Sequence, residues 1–197
     1  MTSTTPPHAP KIPSITVGLR PFAAATEDEP PVSALLASFS VQPDGAMRLE
    51  YRLEGRLDAL KIAAEGAPAP LPLWEHTCFE VFLSTLGEEG YREFNFSPDG
   101  QWSAAEFSRY RERVRFLEND GAPVIGMARA AGVLTLSVQL PPALLPAGPE
   151  LRVGLAAVVE RNDGRLDYWA LRHPGDKPDF HHDGGWTLLL DTRLVAQ

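Results

Sequence analysis

The chain has 197 residues, enough for one domain with a full hydrophobic core, and 44% of its residues are hydrophobic and 22% charged, as in ordinary globular proteins. Its 18 basic and 26 acidic residues give a net charge of −8, which disfavours binding to nucleic acid or to an anionic membrane surface. The single cysteine, Cys78, excludes an internal disulfide, and the 19 prolines and 16 glycines favour short strands over long helices.

The N-terminal segment gives the first prediction in chain order. Residues 1–11 are rich in Thr and Pro and are predicted to be a flexible tail before a single domain over residues 12–195. The segment lacks the basic start, apolar run and cleavage site of a signal peptide, and no stretch approaches the ~20 apolar residues of a membrane span. We therefore expect a cytoplasmic protein that does not enter a membrane.

Strands dominate the predictions for the first 60 residues. The segment ITVGLRPF (15–22) is predicted as a strand, and residues 34–55 as a hairpin that turns at the sequence Pro-Asp-Gly. In the second arm Leu49, Tyr51 and Leu53 alternate with charged residues. This period of two is typical of an antiparallel strand with one buried face.

The rest of the chain is predicted to form further antiparallel strands. A segment rich in Ala and Pro, residues 61–73, is predicted to cross the surface, and PPALL (141–145) to form a short helical turn. The predicted strands lie within residues 76–85, 91–100, 101–110, 121–140, 151–171 and 186–192. Roughly ten strands separated by turns predict an all-β fold: a single-domain antiparallel β-sandwich of the immunoglobulin-like or jelly-roll type, with short helical turns.

Common enzyme motifs are missing from the sequence. It contains no phosphate-binding GxxxxGK[ST] or GxGxxG, no HExxH and no GxSxG. Hydrolysis of a glycoside would need two carboxylates roughly 5 to 10 Å apart across a cleft. Glu80, Glu93, Glu106 and Asp179 are available, but nothing in the sequence pairs them. The sequence identifies no catalytic residue and favours a binding protein over an enzyme.

The four tryptophans fall into two windows. Trp74 and Trp102 flank the central strands, and Trp169 and Trp186 flank a polar segment near the C-terminus. An indole exposed to solvent suits the apolar face of a sugar ring, whose hydroxyls bind neighbouring polar side chains. A buried indole is core packing, so both interpretations stay open at each position.

Alternation along two strands points to a mixed polar and aromatic face. Side chains alternate between the two faces of a strand, so Glu80 and Phe79 point to different faces, and so do Asn95 and Phe94. A few polar groups among aromatic ones are typical of a ligand-binding surface, although an ordinary solvated face is the alternative. The small residues of VGLAAVV (153–159) either leave room for a ligand or fit a tight contact between sheets.

Four segments in order resemble a known family. LWEHTCFEVFL, YREFNFSPDGQW, LRVGLAAVVERNDGRLDYWAL and KPDFHHDGGWTLLL resemble DOMON-like domains that are similar to family 9 carbohydrate-binding modules. The resemblance covers about residues 70–190. It implies a β-sandwich that holds a sugar between aromatic side chains. No cofactor is expected, with haem or Ca²⁺ as the alternatives. Those modules are attached to secreted enzymes that degrade polysaccharides, whereas this chain reads as unsecreted, so we expect small or amino sugars as ligands.

The resemblance also implies roles for particular residues. It implies that Trp74 stacks on the sugar and that Glu80, six residues later, binds sugar hydroxyls. It implies a second aromatic ring from the C-terminal segment, either Phe180 or Trp169, and an arginine, for which Arg161 is the candidate. Other DOMON relatives bind haem through Met and His. The residues available here for that alternative are Met47, Met127, His173, His181 and His182.

Residues 168–186, YWALRHPGDKPDFHHDGGW, hold three of the five histidines and three aspartates. The first interpretation is a metal site, with transition-metal ligands from His173, Asp176, Asp179, His181 and His182, or Ca²⁺ ligands from Asp176, Asp179 and Asp183. The second is a ligand-binding rim in which Trp169 or Phe180 stacks on the ligand. The third is a structural loop whose polar groups bind its own backbone.

The sequence therefore predicts a non-catalytic module that binds a small carbohydrate, with a haem- or metal-binding domain or a protein-interaction domain as alternatives. It leaves open the oligomeric state and whether the loop 172–185 binds metal. The predicted ligand-binding residues are Trp74, Glu80, Asn95, Trp102, Arg161, Trp169, His173, Asp179, Phe180 and His181.

Overall fold

A computed structural model describes residues 14–22, 30–64 and 71–192. The predicted tail, residues 1–11, lies outside these ranges. The strands of the described chain are β1 (Ile15–Gly18), β2 (Arg20–Pro21), β3 (Val32–Val41), β4 (Met47–Gly55), β5 (Cys78–Thr85), β6 (Tyr91–Phe96), β7 (Trp102–Arg109), β8 (Glu112–Phe116), β9 (Val124–Ala130), β10 (Val133–Leu140), β11 (Glu150–Glu160), β12 (Leu166–Ala170) and β13 (Leu188–Asp191). Short 3-10 turns cover Leu57–Ala59, Leu73–Glu75, Pro142–Leu144 and Asp183–Gly185.

Two antiparallel sheets pack face to face. The smaller sheet has the order β1-β3-β4-β10-β9, and the larger sheet has the order β2-β12-β11-β5-β6-β7-β8, with β13 also paired to β11. The inward-facing side chains of both sheets form the hydrophobic core, with Leu49 and Tyr51 from the smaller sheet meeting Phe79 and Phe94 from the larger one. The predicted all-β sandwich is confirmed.

The local predictions for the hairpins are also confirmed. At the turn between β3 and β4, the Gly45 N–H donates to Gln42 O, and the Asp44 carboxylate accepts the N–H of Ala46. Gly45 has a φ of 82°, a left-handed conformation that glycine adopts at little cost. The alternating residues of β4 divide as expected, because the apolar set is buried and the intervening Arg and Glu side chains face solvent.

One strand of the larger sheet was not predicted. Strand β8 pairs with β7 through register shifts, and all five of its residues are exposed. Its sequence, ERVRF, is short and has three charged residues among five, so it reads as a charged loop. The turn before it contains Arg111, which has a φ of 57°. Strand β8 forms one edge of the larger sheet, next to the candidate site described below.

The last strands of the larger sheet determine where the C-terminal segment lies. The second half of β11 pairs with β12, and its first half pairs with β13. These two strands therefore lie one after the other along the same side of β11. Residues 171–187, here called the C-terminal loop, leave the sheet between them. The loop folds over the outer face of the larger sheet, meaning the face that points away from the smaller sheet.

No helical turn in the described ranges has the length and hydropathy of a membrane-crossing helix. The 3-10 turn at Pro142–Leu144 confirms the helical turn predicted for PPALL. Within the predicted surface crossing, residues 61–64 have no regular structure, and residues 65–70 lie outside the described ranges.

Candidate functional site

The C-terminal loop covers one half of the outer face, here called the closed half. Trp186 lies directly on Gly154 of β11, where an added Cβ would come within 2.1 Å of the indole Cδ1. The same indole stacks on Phe82 with a centroid distance of 5.8 Å and donates from Nε1 to Phe180 O at 2.9 Å. Ala156 belongs to the same buried cluster. The small residues at positions 154 and 156 therefore accommodate the loop's tryptophan and do not leave room for a ligand.

The rest of the outer face, here called the open half, forms a cavity of about 310 Å³. Its walls come from β5 to β8, β11, β12, the C-terminal loop and the 3-10 turn at Leu73–Glu75. Polar groups at its base are Glu80, Glu93, Asn95 and Ser103, and aromatic rings around it are Trp74, Phe107, Phe116, Tyr168 and Phe180. Two cations, Arg111 and Arg113, complete the lining together with Asp179 and His181.

Three polar side chains at the base are held by the pairing of β5 with β6. Glu80 lies opposite Asn95 in the sheet register, and the Asn95 side chain donates from Nδ2 to Glu93 Oε1 at 3.0 Å. The Cys78 thiol donates to Asn95 Oδ1 at 3.6 Å, which fixes the orientation of the amide. Glu80 is only 3% exposed, yet its Oε1 has no hydrogen-bond partner. A buried polar atom without a partner is costly, so a ligand group that donates a hydrogen bond to this oxygen would relieve that cost.

The two carboxyls at the base resist ionisation. Burial raises the pKa of Glu80 well above its ordinary value, and the nearby Glu93 raises it further by repulsion. Burial also raises the pKa of Glu93, although the hydrogen bond from Asn95 and the guanidinium groups of Arg111 and Arg113 oppose this effect. The pair therefore keeps a proton to a higher pH than isolated glutamates would.

His181 sits where the closed and open halves meet. Its Nδ1 lies 2.7 Å from the hydroxyl oxygen of Tyr91, which also accepts the backbone N–H of Arg111 at 3.0 Å. Nδ1 and the Tyr91 hydroxyl therefore share a hydrogen bond, and Nε2 lies 3.8 Å from Glu93 Oε2. Burial lowers the pKa of His181 to about 4, and Arg111 adds to this effect. The imidazole is therefore neutral at physiological pH.

Asp179 ties the C-terminal loop to the turn between β7 and β8. Its carboxylate accepts the Tyr110 hydroxyl at 2.7 Å and a guanidinium N–H of Arg111 at 2.9 Å. Burial opposes ionisation, but these two hydrogen bonds dominate and lower the pKa of Asp179. The contact closes one side of the cavity and leaves the Asp179 carboxylate with partners inside the protein.

Aromatic side chains lie around the opening. The side chains of Trp74 and Phe116 are large and exposed, at 43% and 47%, which is unusual for rings next to buried carboxyls. Tyr168 and Phe180 meet edge to face at 6.1 Å, and the Arg113 guanidinium lies over the Phe116 ring at 4.2 Å. The opening therefore presents flat apolar surfaces beside hydrogen-bonding groups, as a sugar-binding surface requires.

The turn that carries Trp74 is anchored from both of its ends. Leu73 is buried against Cys78. On the other side, His76 Nδ1 lies 2.8 Å from Glu160 Oε2, and Lys61 donates to Glu160 Oε1 at 2.7 Å. These contacts hold the tryptophan at the cavity while its side chain remains 43% exposed.

Six of the ten predicted ligand-binding residues line the cavity. They are Trp74, Glu80, Asn95, Asp179, Phe180 and His181. They come from three separate parts of the chain, and the pairing of β5 with β6 and the return of the C-terminal loop bring them together. Whether they bind a ligand stays a prediction.

The other four predicted residues do not line the cavity. Trp169 belongs to the core between the sheets, and Trp102 packs against that core. Arg161 forms a two-pronged ion pair with Asp167 across the β11–β12 hairpin. His173 lies with Nε2 2.9 Å from Arg20 O, which attaches the start of the C-terminal loop to β2.

Several lining residues were not among the predicted binding residues. Glu93 was considered only as a catalytic carboxylate, although its position two residues before Asn95 places both on the same face of β6. Tyr168 was missed because its neighbour Trp169 was the candidate, and adjacent residues of a strand face opposite ways. Arg113 and Phe116 were missed because β8 was not predicted.

The C-terminal loop does not gather metal ligands. Within residues 14–22, 30–64 and 71–192, no three His, Cys, Asp or Glu side chains converge as a metal site. His182 accepts the N–H of Gly184, and Asp183 pairs with Arg152. The polar side chains of the loop mainly bind other parts of the protein, as the structural interpretation expects, while four of the loop's residues also line the cavity.

The haem alternative requires methionine and histidine side chains that the fold keeps apart. Met47 lies within the inter-sheet core, and Met127 packs against the same core. His181, by contrast, contacts Phe82 and Tyr91 on the outer face of the larger sheet. The larger sheet separates the two groups, so this pairing cannot ligate one haem iron.

The fold is similar to that of solved structures. A protein from Bacteroides uniformis ATCC 8492, provisionally described as carbohydrate-binding, matches with a TM-score of 0.58 at 15% identity, over 91% of this chain and 86% of that one. A family 9 carbohydrate-binding module from Caldicellulosiruptor kristjanssonii, in complex with cellotriose or glucose, gives TM-scores of 0.46 and 0.45 at 8% identity. These two matches cover 72% and 71% of this chain and 69% and 70% of theirs. No protein-family model matches the chain, and a search of curated proteins finds no match.

Proposed function

We propose that the protein is a non-catalytic module that binds a small carbohydrate in the cavity of the open half. The observation that carries this proposal is the buried Glu80 carboxyl, whose Oε1 has no partner, below a set of exposed aromatic rings. A sugar hydroxyl can donate to a carboxylate or accept from a protonated carboxyl, so it satisfies this oxygen in either state. The face of the same sugar ring can stack on Trp74.

The size and composition of the cavity also favour a small sugar. A volume of about 310 Å³ is at the lower end of the range for small-molecule sites. Glu80, Glu93 and Asn95 offer several donors and acceptors close together, which suits a ligand with neighbouring hydroxyls. The Asn95 amide is already oriented by Cys78, so it is preorganised for binding.

Binding fits the carboxyl arrangement better than hydrolysis does. Glu80 and Glu93 lie on neighbouring strands of one sheet face, so both approach a ligand from the same side. Glycoside hydrolysis instead uses two carboxyls that flank the bond to be broken. Glu106 does not line the cavity, and Asp179 has its partners in Tyr110 and Arg111.

The carbohydrate-binding description of the Bacteroides uniformis protein agrees with this proposal, although the likeness itself concerns the fold alone. We further propose that the chain is a DOMON-like relative of family 9 modules, as the four sequence segments imply. A cytoplasmic location remains part of the proposal.

A titration with sugars tests the proposed function. Intrinsic tryptophan fluorescence should report saturable binding of a monosaccharide or disaccharide, with a dissociation constant of roughly 1 mM to 1 µM. Trp74→Ala should weaken binding about 30-fold or more, because a central aromatic contact contributes about 2 kcal/mol. Because that substitution also removes a fluorophore, calorimetry provides the affinities.

A control variant separates loss of the site from loss of the fold. Leu86 is 45% exposed, close to the exposure of Trp74, and lies outside the cavity. Leu86→Ala should bind sugar like the wild type, and both variants should unfold cooperatively. Unchanged affinity in Trp74→Ala would remove this tryptophan from the site, and no binding of any sugar by the wild type would refute the function.

A further inference from the structure

We propose that the cavity selects sugars that carry a protonated amine, with the ammonium group held between Glu80 and Glu93. This inference rests on the proposed carbohydrate-binding function and names the class of ligand. It is carried by the placement of two buried carboxyls at the base of the cavity and by the charges around them.

The two carboxyls lack a cationic partner. Among the ion pairs of the described residues, neither Glu80 nor Glu93 contacts a Lys or Arg side chain. Their polar neighbours are the Asn95 amide, which donates to Glu93, and the His181 Nε2 at 3.8 Å. Glu80 lines the cavity, and its buried Oε1 has no hydrogen-bond partner. A donor with several N–H groups, such as an ammonium, can satisfy both carboxyls at once.

The balance of charge in the cavity leaves a place for one cation. Asp179 and Arg111 lie 2.9 Å apart and neutralise each other. Arg113, which stacks on Phe116, provides one positive charge against the two carboxyls of Glu80 and Glu93. When both carboxyls are ionised, the cavity therefore carries one excess negative charge. A proton supplies the missing charge in the free protein, and a ligand ammonium supplies it in the complex.

The other titratable groups near the carboxyls do not change this balance at neutral pH. Burial raises the pKa of the Cys78 thiol and of the Tyr51 phenol, so both remain protonated and uncharged. Burial also raises the pKa of Tyr91 to about 12 and lowers the pKa of His181 to about 4. Tyr168 of β12 is the remaining phenol in the lining, and β11 contributes only Val158.

Exchange of a proton for an ammonium makes binding depend on pH. The free pair holds a proton because burial and repulsion raise its pKa, and a bound ammonium lowers that pKa by attraction. The complex therefore holds fewer protons than the free protein, so the affinity for an amino sugar rises with pH over the range in which the free pair loses its proton. A neutral sugar brings no charge and should show a weaker dependence.

Calorimetric titration with four matched sugars tests this inference. The probes are D-glucosamine, N-acetyl-D-glucosamine, D-glucose and D-glucuronic acid, each at pH 5 and pH 7 in two buffers of different ionisation enthalpy. At pH 7, D-glucosamine should bind about tenfold more tightly than D-glucose and N-acetyl-D-glucosamine. Its binding should release protons to the buffer and should weaken at pH 5.

Variants locate the selectivity on the carboxyl pair. Glu93→Gln should reduce the preference for D-glucosamine over D-glucose, measured within the same variant, from about tenfold to less than about threefold. Glu118 is an exposed acid outside the cavity, so Glu118→Gln should keep the preference. Proton release is measured on the wild type, so it tests the inference even if Glu93→Gln does not fold.

Each outcome separates this inference from the function on which it rests. If D-glucose or N-acetyl-D-glucosamine binds as tightly as D-glucosamine and no proton is released, the amine selectivity is refuted and carbohydrate binding stands. If D-glucuronic acid binds most tightly, Arg113 sets the selectivity and the inference is again refuted. If none of the four sugars binds, the inference and its proposed ligand class both fail.

Discussion

The two halves of the outer face are built on the same strands but differ in what covers them. In the closed half, Trp186 packs on Gly154 and Phe82, and the cluster is as buried as a second core. In the open half, Glu80 and Glu93 take the corresponding outward positions, and no loop side chain satisfies the Oε1 of Glu80. The C-terminal loop therefore both completes the fold and defines where a ligand can bind.

The difference also explains the polar residues of the C-terminal loop. His173 attaches the loop to β2, Asp179 attaches it to the β7–β8 turn, and His181 hydrogen-bonds to Tyr91. These contacts are spread along the loop and do not converge on one point. A concentration of histidine and aspartate in the sequence therefore serves attachment of the loop, with His181 and Asp179 lining the cavity as a consequence.

Removing the tryptophan of the closed half should have the largest effect. Trp186→Ala leaves a cavity on Gly154 and should lower the free energy of unfolding by about 3 to 5 kcal/mol in urea denaturation. It should also weaken sugar binding, because Phe180 loses the hydrogen-bond donor that holds it. Leu189→Ala, at an exposed position of β13, is the control and should change stability by less than about 0.5 kcal/mol. A loss below about 1 kcal/mol for Trp186→Ala would contradict the closed half as a packed unit.

The histidine between the halves should make stability depend on pH. Because burial lowers the pKa of His181 to about 4, the unfolded imidazole takes up a proton below about pH 6.5 that the folded one does not. The free energy of unfolding therefore keeps this contribution above about pH 6.5. It falls by up to about 3 kcal/mol as pH decreases toward 4.

Comparison with His181→Asn isolates this contribution from that of other acids. The difference in unfolding free energy between wild type and variant should shrink as pH decreases from 7 to 4. An NMR titration should also give His181 a pKa of about 4. A pKa near 6.5 for His181 would contradict its burial against Phe82 and Tyr91.

Weakening the attachment of the loop beside the open half should have the smallest effect. Asp179→Asn keeps the shape of the side chain but removes the charge that pairs with Arg111, whose guanidinium is half exposed. Stability should fall by about 1 kcal/mol or less, because such pairs are screened by solvent. Sugar affinity should fall a few-fold, as calorimetry can measure. A loss of several kcal/mol would mean that the closed half alone does not hold the loop.

Local patterns were sufficient to predict most of the strands. The alternation of β4 and the glycine turns of the hairpins depend on neighbours in the sequence, so they were visible without the structure. Strand β8 was not visible, because it is only five residues long and three of them are charged. It forms only by pairing with the edge of β7, which a local pattern does not encode.

The candidate site was only partly predictable for a similar reason. Alternation correctly separated Glu80 from Phe79, since both lie on one strand whose inner face is strongly apolar. Tyr168 and Trp169 are adjacent and both aromatic, so the sequence did not identify which of the two faces the core. Strands β12 and β13 both pair with β11 and so direct the loop over the outer face. This pairing is a long-range property of the sheet that local sequence does not encode.

The most direct test of the central claim is to observe the four tryptophan indole N–H signals by NMR while D-glucosamine and D-glucose are added in turn. The account predicts that the Trp74 signal shifts with saturation, together with the backbone amides of Glu80 and Asn95. The buried Trp169 and Trp186 signals should move little. Saturable shifts centred on Trp186, with Trp74 unchanged, would place the ligand on the closed half and contradict the account.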